Sequence, residues 1–441
     1  MRRSAITLIL TSGLLATSAY ATGFGLRDVS ASTLGTSYAG GAANGDHAST
    51  LFFNPALVSD VTDWDVSVSS TGVLPTSSGD FTAFTAAGTP VPGNATPDHI
   101  VNTALIPSLS LRGRLSDQFT VGLTVTVPWG MITDYNSDFV GRYYATMSNV
   151  KAYNITPMIG YQPSPEFSFG VGLQLQYTKG TLGKAIDFGT IGALYHFPGA
   201  VPGYMDGSVL LKADNWAEGY VLGVEWKPNS DLSLGLSYRS EIDHTLAGNE
   251  TFTLDAAGIG ATLKAMTGMF ADSTAKADFA TPSVATAAVH WKINEQWTTM
   301  ATVDWTGWNS FDQLLITSGN PVQSPDLTVM DWKSSWFGSV GAEYKPAADW
   351  TLRVGTAYDE TPTGNQYRTP GIPDSSRIWI SGGVGYQWNE HLDFDLALAH
   401  LFASHANIAL AGSDPGNAVR GSLDGSVALG VTLVGLEVTY H

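Results

Sequence analysis

The run Phe167-Ser168-Phe169-Gly170-Val171-Gly172-Leu173-Gln174-Leu175-Gln176-Tyr177 places an apolar or aromatic residue at every odd position and a small or polar one at every even position. A period of two is the signature of a strand with two different faces. Here one face is apolar along its whole length and ends in aromatic rings, while the other carries Gly, Ser and Gln. A strand between lipid and a lumen has that pattern, with Phe and Tyr at the lipid–water boundaries. The C-terminal stretch alternates too, first through Val427, Leu429, Val431 and Leu433, then in the opposite phase through Val434, Leu436, Val438 and Tyr440. That change of phase predicts a bulge near Gly435.

Six short polar connections separate such runs: Leu115-Ser116-Asp117-Gln118, Pro163-Ser164-Pro165-Glu166, Pro228-Asn229-Ser230-Asp231, Asn294-Glu295-Gln296, Pro346-Ala347-Ala348-Asp349 and Asn389-Glu390-His391. Their residues favour turns, and aromatic residues flank most of them. Longer, less regular stretches lie near 75–100, 131–150, 181–215, 242–280, 311–331, 360–376 and 403–424. Six turns and seven loops predict fourteen strands. Short turns on one side and long loops on the other are the outer-membrane arrangement. The predicted fold is therefore an all-β, fourteen-stranded antiparallel transmembrane barrel over residues 62–441.

The remaining composition agrees. Arg2 and Arg3 precede an apolar run from Ala5 to Leu15, and Ala19-Tyr20-Ala21 fits a signal-peptidase site, so residues 1–21 read as a cleaved export signal. Beyond it no apolar stretch is long enough for a spanning helix, and a closed barrel is the other structure that satisfies every backbone group in lipid. The chain has no cysteine, so no disulfide framework supports it. Its formal net charge is −18, which argues against a nucleic-acid partner. A lumen ringed by fourteen strands is too wide for side chains alone to fill. Residues 22–61, rich in small residues and ending in Asn54-Pro55-Ala56-Leu57, are the candidate plug; a periplasmic tail is the alternative.

Several segments together resemble one family. Thr22-Gly23-Phe24, Gly35-x-x-Tyr38-x-Gly40 and Asn54-Pro55-Ala56-Leu57 are similar to the hatch of FadL-type transporters of fatty acids and other hydrophobic compounds. Tyr238-Arg239-Ser240-Glu241, Trp305 through Phe311 and Ile372 through Trp379 look like further motifs of that family, in the same order. The resemblance implies a barrel closed by an N-terminal hatch, a hydrophobic cargo taken from outside, and release through a sideways opening. It also implies a ligand pocket against Phe24, Asn54, Pro55 and Ala56. Its members usually end on an aromatic residue, whereas Tyr440 is followed here by His441.

A fatty acid needs a cation for its carboxylate. Lys333 aligns with a ligand-contacting lysine of the family, and alternation from Trp332 and Trp336 would turn it inward, where Glu343 is an equally good partner. Lys179 aligns with an arginine used similarly, but strict alternation places it outward unless a bulge intervenes near Gly180; outward, it would touch lipid head groups. In the long loops, Ile259, Leu263, Met266 and Phe270 stand at helical spacing, and Leu194 and Phe197 precede them. They would line a capture groove, or merely pack the loops together. Pro128-Trp129-Gly130 should kink or end the third strand, since proline donates no ladder hydrogen bond; the family's lateral gate lies at such a kink. Zinc, Walker and nucleophile-elbow motifs are missing, so neither cofactor nor metal is expected and an enzyme is the minor alternative. The further alternatives are an open porin and a channel for neutral aromatic hydrocarbons. A closed barrel has no free edge, which favours a monomer in contact with outer-membrane lipid and lipopolysaccharide.

Overall fold

A computed structural model describes residues 23–441; the expected export signal lies outside the described residues. Fourteen strands ring a closed antiparallel barrel. They are β1 (Trp64–Phe84), β2 (Ala104–Arg114), β3 (Phe119–Asp134), β4 (Met147–Ser164), β5 (Phe167–Asp187), β6 (Asp206–Asn229), β7 (Leu232–Arg239), β8 (Val284–Lys292), β9 (Trp297–Thr306), β10 (Ser335–Ala347), β11 (Trp350–Asp359), β12 (Arg377–Asn389), β13 (Leu392–Ala403) and β14 (Ser422–Tyr440). Closure comes from β1 pairing with β14, continuously from Val66↔Tyr440 to Phe84↔Ser422. All six short connections are turns between neighbouring barrel strands.

Along β5 the expected faces are realised: Phe169, Val171 and Leu173 are exposed outward, and Ser168, Gln174 and Gln176 are buried. Aromatic pairs mark both edges of the lipid band. Phe167 stacks on Trp226 at the turn end, with ring centroids 5.9 Å apart. Tyr177 meets Trp216 at 5.2 Å higher up. Ten residue steps of ~3.4 Å, tilted by ~40°, span about 26 Å, the height of an outer-membrane apolar band.

Two expectations about strands need correction. The long stretches 181–215 and 242–280 are largely regular, whereas strand covers only the ends of 131–150 and the start of 75–100. β5 and β6 stay paired from Phe167↔Trp226 up to Asp187↔Asp206. Residues Ile242–Thr253 and Ser273–Thr281 form a further hairpin above the barrel. Outside the lipid band no apolar face is imposed, so the backbone ladder continues while the period of two disappears from the side chains. The second correction is that β14 has no bulge at Gly435; its register with β1 and with β13 is unbroken. Val427, Leu429, Val431 and Leu433 are buried inward, whereas Leu436, Val438 and Tyr440 face out. The phase of hydrophobicity changes because the upper lumen is itself apolar.

What fills it is the N-terminal segment. Nearly every residue from Gly23 to Val61 is buried. It holds one short helix, α1 (Ala31–Leu34), and two 3-10 turns at Ala48–Phe52 and Pro55–Ser59. Glu437 of β14 reaches in to accept the backbone N–H groups of Ala31 and Ser32 at 2.7 and 3.2 Å, with the Ser30 hydroxyl at 2.9 Å. An acceptor there satisfies the orphan donors of the α1 N-terminus. At the turn end, Arg112 pairs with Asp65 at 2.6 Å and donates to the Leu57 carbonyl at 2.8 Å. Asn54 caps the second 3-10 turn, accepting from Ala56 N–H at 3.0 Å and donating to the carbonyls of Ala42 and Val224.

Inward glycines let the segment approach the wall. A Cβ at Gly355 of β11 would collide with the Thr36 backbone. Gly355→Val is therefore expected to dislodge residues 23–61 while leaving the barrel closed. Limited proteolysis should cut the N-terminal segment several-fold faster than in wild type, with the heat-modifiable mobility of the folded barrel retained.

Candidate functional site

At Pro128 the third strand does break its pattern, and the structure adds how. The β3–β4 register shifts between Thr126 and Trp129, which leaves Val127 and Pro128 as a bulge. Residues 126–133 are buried on both faces, so this part of β3 is drawn inward. Its pairing with β2 stops at Leu109↔Val125, although β2 continues to Ala104 along β1. A gap in the wall's hydrogen bonding thus opens between β2 and β3, and the N-terminal segment lies along it. Leu26 N–H donates to the Pro128 carbonyl at 2.7 Å, and Gly130 N–H donates to the Phe24 carbonyl at 2.7 Å. From the β2 side, the Ser108 hydroxyl donates to the Val29 carbonyl at 2.5 Å.

Phe24 sits in an aromatic ring. Its centroid lies 4.8 Å from Trp308, 5.5 Å from Phe311, and 6.0 Å from both Trp129 and Trp332. Gly23 precedes it at φ +65°, where a Cβ would fall 2.5 Å from Trp332 and 2.7 Å from Trp308. The Gly23 backbone N–H also donates to buried Asp374. The segments Trp305–Phe311 and Ile372–Trp379 therefore converge on the start of the N-terminal segment.

Above Phe24, under the loops, is an apolar cavity of about 540 Å³. Leu211, Leu246, Phe279 and Ile316 are among its walls, and Phe24 is part of its floor. Of the predicted loop residues, Leu194, Leu263 and Phe270 line it. Ile259 opens the expected helix, α2 (Ile259–Thr267), but packs with Phe197 against the neighbouring loop cluster. Met266 points out and is 67% exposed, and Phe270 lies past the helix end at φ +58°. Asn54, Pro55 and Ala56 do not line this cavity; they pin the N-terminal segment.

Neither predicted lysine reaches the cavity. β10 begins only at Ser335, and Asp331 is at φ +41°, so alternation cannot be carried back to Lys333. Trp332 is buried in the ring around Phe24 while Trp336 is exposed outward, and Lys333 extends outward to Asp331 at 2.6 Å. Glu343 instead pairs with Arg353 at 2.7 Å. Lys179 also faces out, beside Lys151 and Asp214 in an unshifted register, without a bulge at Gly180.

The cations that do line the cavity are Lys184 and Arg420. Lys184 Nζ is 2.5 Å from Asp326, which Arg420 also holds, and Arg420 donates to Thr328 at 3.1 Å. Burial pushes the Asp326 carboxyl up, but the Lys184 ammonium and Arg420 guanidinium outweigh it and hold it below the usual carboxylate range. Its contribution to loop stability is present above the unfolded value and lost only as pH falls through the depressed one. Two cations share the one carboxylate of Asp326, while Asp187 and Glu250, which also line the cavity, are held by hydrogen bonds from Thr190 and Gly203 and from Ser273 and Ser318 respectively. Sequence reading missed Lys184 and Arg420 because they are far apart in the chain and lie where alternation has faded.

The profile of the family described as "Outer membrane protein transport protein (OMPP1/FadL/TodX)" matches residues 12–441. The chain belongs to that family. It is a transporter of the outer membrane, not an enzyme. A putative outer membrane protein of Neisseria meningitidis is 29% identical, over 98% of this chain and 97% of its own length. The long-chain fatty acid transport protein of Escherichia coli K12 is 25% identical, over 91% and 92% respectively. Among solved structures, a Pseudomonas aeruginosa FadL homologue superposes with a TM-score of 0.86 at 25% identity, covering 95% of this chain and 99% of that one. The toluene transporter TbuX of Ralstonia pickettii gives a TM-score of 0.66 at 16% identity, covering 95% and 99%, a likeness of fold.

Replacing Phe24 by Ala removes the ring that separates the cavity from the gap. Phe24→Ala should raise permeability to a small uncharged solute several-fold in a liposome-swelling assay, with the barrel still folded. Permeability equal to wild type would mean that Phe24 closes nothing.

Proposed function

We propose that this protein carries long-chain fatty acids across the outer membrane, capturing them under the extracellular loops, storing them against an N-terminal hatch and releasing them sideways. The observation that carries this reading is the apolar cavity, floored by Phe24 and bearing Lys184 and Arg420 on its wall, directly above the interrupted β2–β3 pairing. The volume is within the ~300–1,000 Å³ usual for small-molecule sites. Its walls suit an alkyl chain, and the adjacent Lys184 ammonium and Arg420 guanidinium suit a carboxylate. The fatty acid transport protein of E. coli lends the same reading from its name.

In this reading residues 23–61 are the hatch, and Phe24 is its moving part. A chain pressing into the cavity displaces Phe24 from its aromatic ring. The two backbone hydrogen bonds to Pro128 and Gly130 then break, because Phe24 and Leu26 make them. That frees the inward bulge of β3, and the ligand leaves between β2 and β3 into the outer leaflet without crossing a water-filled pore. Pro128, Trp129 and Gly130 form the gate. The protein acts as a monomer, its closed wall touching lipid and lipopolysaccharide, and needs no cofactor.

Two measurements test this. Lys184→Gln with Arg420→Gln should weaken binding of a fatty acid about tenfold relative to its methyl ester, the loss of a hydrogen-bonded charge being ~1.5–3 kcal/mol. Equal weakening of acid and ester would remove the carboxylate role. Because the chain has no native cysteine, Ser108→Cys and Thr126→Cys can be joined by a reducible cross-linker that staples β2 to β3. Fatty-acid uptake should fall to background when linked and return on reduction; uptake unaffected by the link would exclude the lateral route.

A further inference from the structure

Below the cavity, nearer the periplasmic turns, lies a second, smaller space of about 60 Å³. Gly25 and Leu26 bound it on the N-terminal segment, Pro128 and Trp129 on the bulge, and Arg239 on β7. Phe24 borders the upper cavity and not this one, while Trp129 and Trp308, which ring Phe24, border the lower. The two spaces are therefore consecutive, with Phe24 between them.

Arg239, half-buried in the barrel wall, is unlike the wall's buried arginines. Arg112 pairs with Asp65, Arg353 with Glu343 and Asp395, and Arg377 with Asp359 and Asp374. Arg239 has no salt bridge among the described residues. Its guanidinium donates to Gln174 Oε1 and to the Phe52 carbonyl, at 2.8 Å for the latter, and lies 4.5 Å from the Phe52 ring centroid. A guanidinium carries five N–H donors, so these two contacts leave capacity for more. Trp308, fully buried on the same space, has an indole N–H with no acceptor among the described residues. An unpaired cation partly withdrawn from water is costly in apolar surroundings. This space is bordered by one, by a free indole donor, and by an Arg27–Asp304 pair that neutralises itself, so its unmatched charge favours an anion.

We propose that Arg239 is a second station for the ligand carboxylate, reached after Phe24 has moved and before the chain leaves between β2 and β3. This rests on the fatty-acid reading above. At the upper station Asp326 competes with the ligand for Lys184 and Arg420, so the hold there is tempered. Asp304 borders the lower space but is held by Arg27 at 3.1 Å, so Arg239 itself has no carboxylate partner and the head group passes from shared cations to an unshared one. The pocket has room for a head group, and the alkyl tail trails into the space that Phe24 vacates. Arg239 is a positioning residue: it orients the ligand toward the gap at Pro128–Gly130 through a forked pair of donors that a carboxylate matches.

The test compares uptake of a long-chain fatty acid and its methyl ester by proteoliposomes carrying wild-type protein, Arg239→Met or Arg239→Lys. The expected result is an acid-to-ester uptake ratio reduced about tenfold in Arg239→Met, as for a lost charged hydrogen bond, with ester uptake unchanged. Arg239→Lys should restore most of the ratio, since the charge returns. Acid binding to the upper cavity, measured separately by calorimetry, should match wild type in both variants. An unchanged ratio in Arg239→Met would overturn the proposal, as would equal loss of acid and ester, which marks a role in anchoring the N-terminal segment. Wild-type protein that takes up neither ligand would instead overturn the fatty-acid reading itself, and this inference with it.

Discussion

A backbone N–H or C=O in lipid has no water to turn to, and the whole molecule follows from that constraint. It forces the sheet to close, so β1 meets β14 along their full length. It also makes any interruption of the ladder expensive unless other groups supply partners. The interruption between β2 and β3 is supplied from inside, by Phe24, Leu26 and Val29 of the N-terminal segment. The wall and the segment are consequently not independent parts. The same backbone groups that seal the gap hold the ring that floors the cavity, so a ligand pressing on the floor also acts on the wall.

The lumen divides by chemistry to match. Toward the periplasm, charged residues fix the N-terminal segment in place: Arg112 with Asp65, Glu437 over the start of α1, and Arg353 between Glu343 and Asp395. Each is paired and hydrogen-bonded, the condition under which buried charge is tolerated. Toward the outside the lumen is apolar, with Val427, Val431 and Leu433 facing in. In the proposed function, an anion with a long tail would meet an arrangement that grips the tail above and offers cations in sequence along the way.

Much of the barrel was legible because lipid writes its demand directly into the strands. Phe169, Val171 and Leu173 must be apolar, their neighbours need not be, and turns must carry residues such as Pro228 and Asn229. The same logic fails wherever that demand stops. Above the lipid band β5 and β6 keep pairing, but no face is selected, so their upper halves look like loops. In β14 the apolar residues change face because the lumen has become apolar, which imitates a bulge. The Pro128–Gly130 interruption was readable from proline's missing donor. Which backbone groups would compensate was not, because that depends on contacts between residues far apart in the chain. Lys333 misled for a local reason: alternation was extended into residues 331–334, which precede the strand. Lys184 and Arg420 meet only through the packing of separate loops, and no spacing in the chain announces them. Arg239 stood in a recognisable motif, yet its lack of an acidic partner becomes visible only once every neighbour is placed.

The central claim is that filling the cavity releases the N-terminal segment from the bulge in β3. Hydrogen–deuterium exchange at the Leu26 and Gly130 amides, followed with and without saturating long-chain fatty acid, tests it most directly. The account predicts faster exchange at both amides when ligand is bound, since their acceptors, the carbonyls of Pro128 and Phe24, move away. Exchange that stays the same or slows at both sites on ligand binding would contradict it.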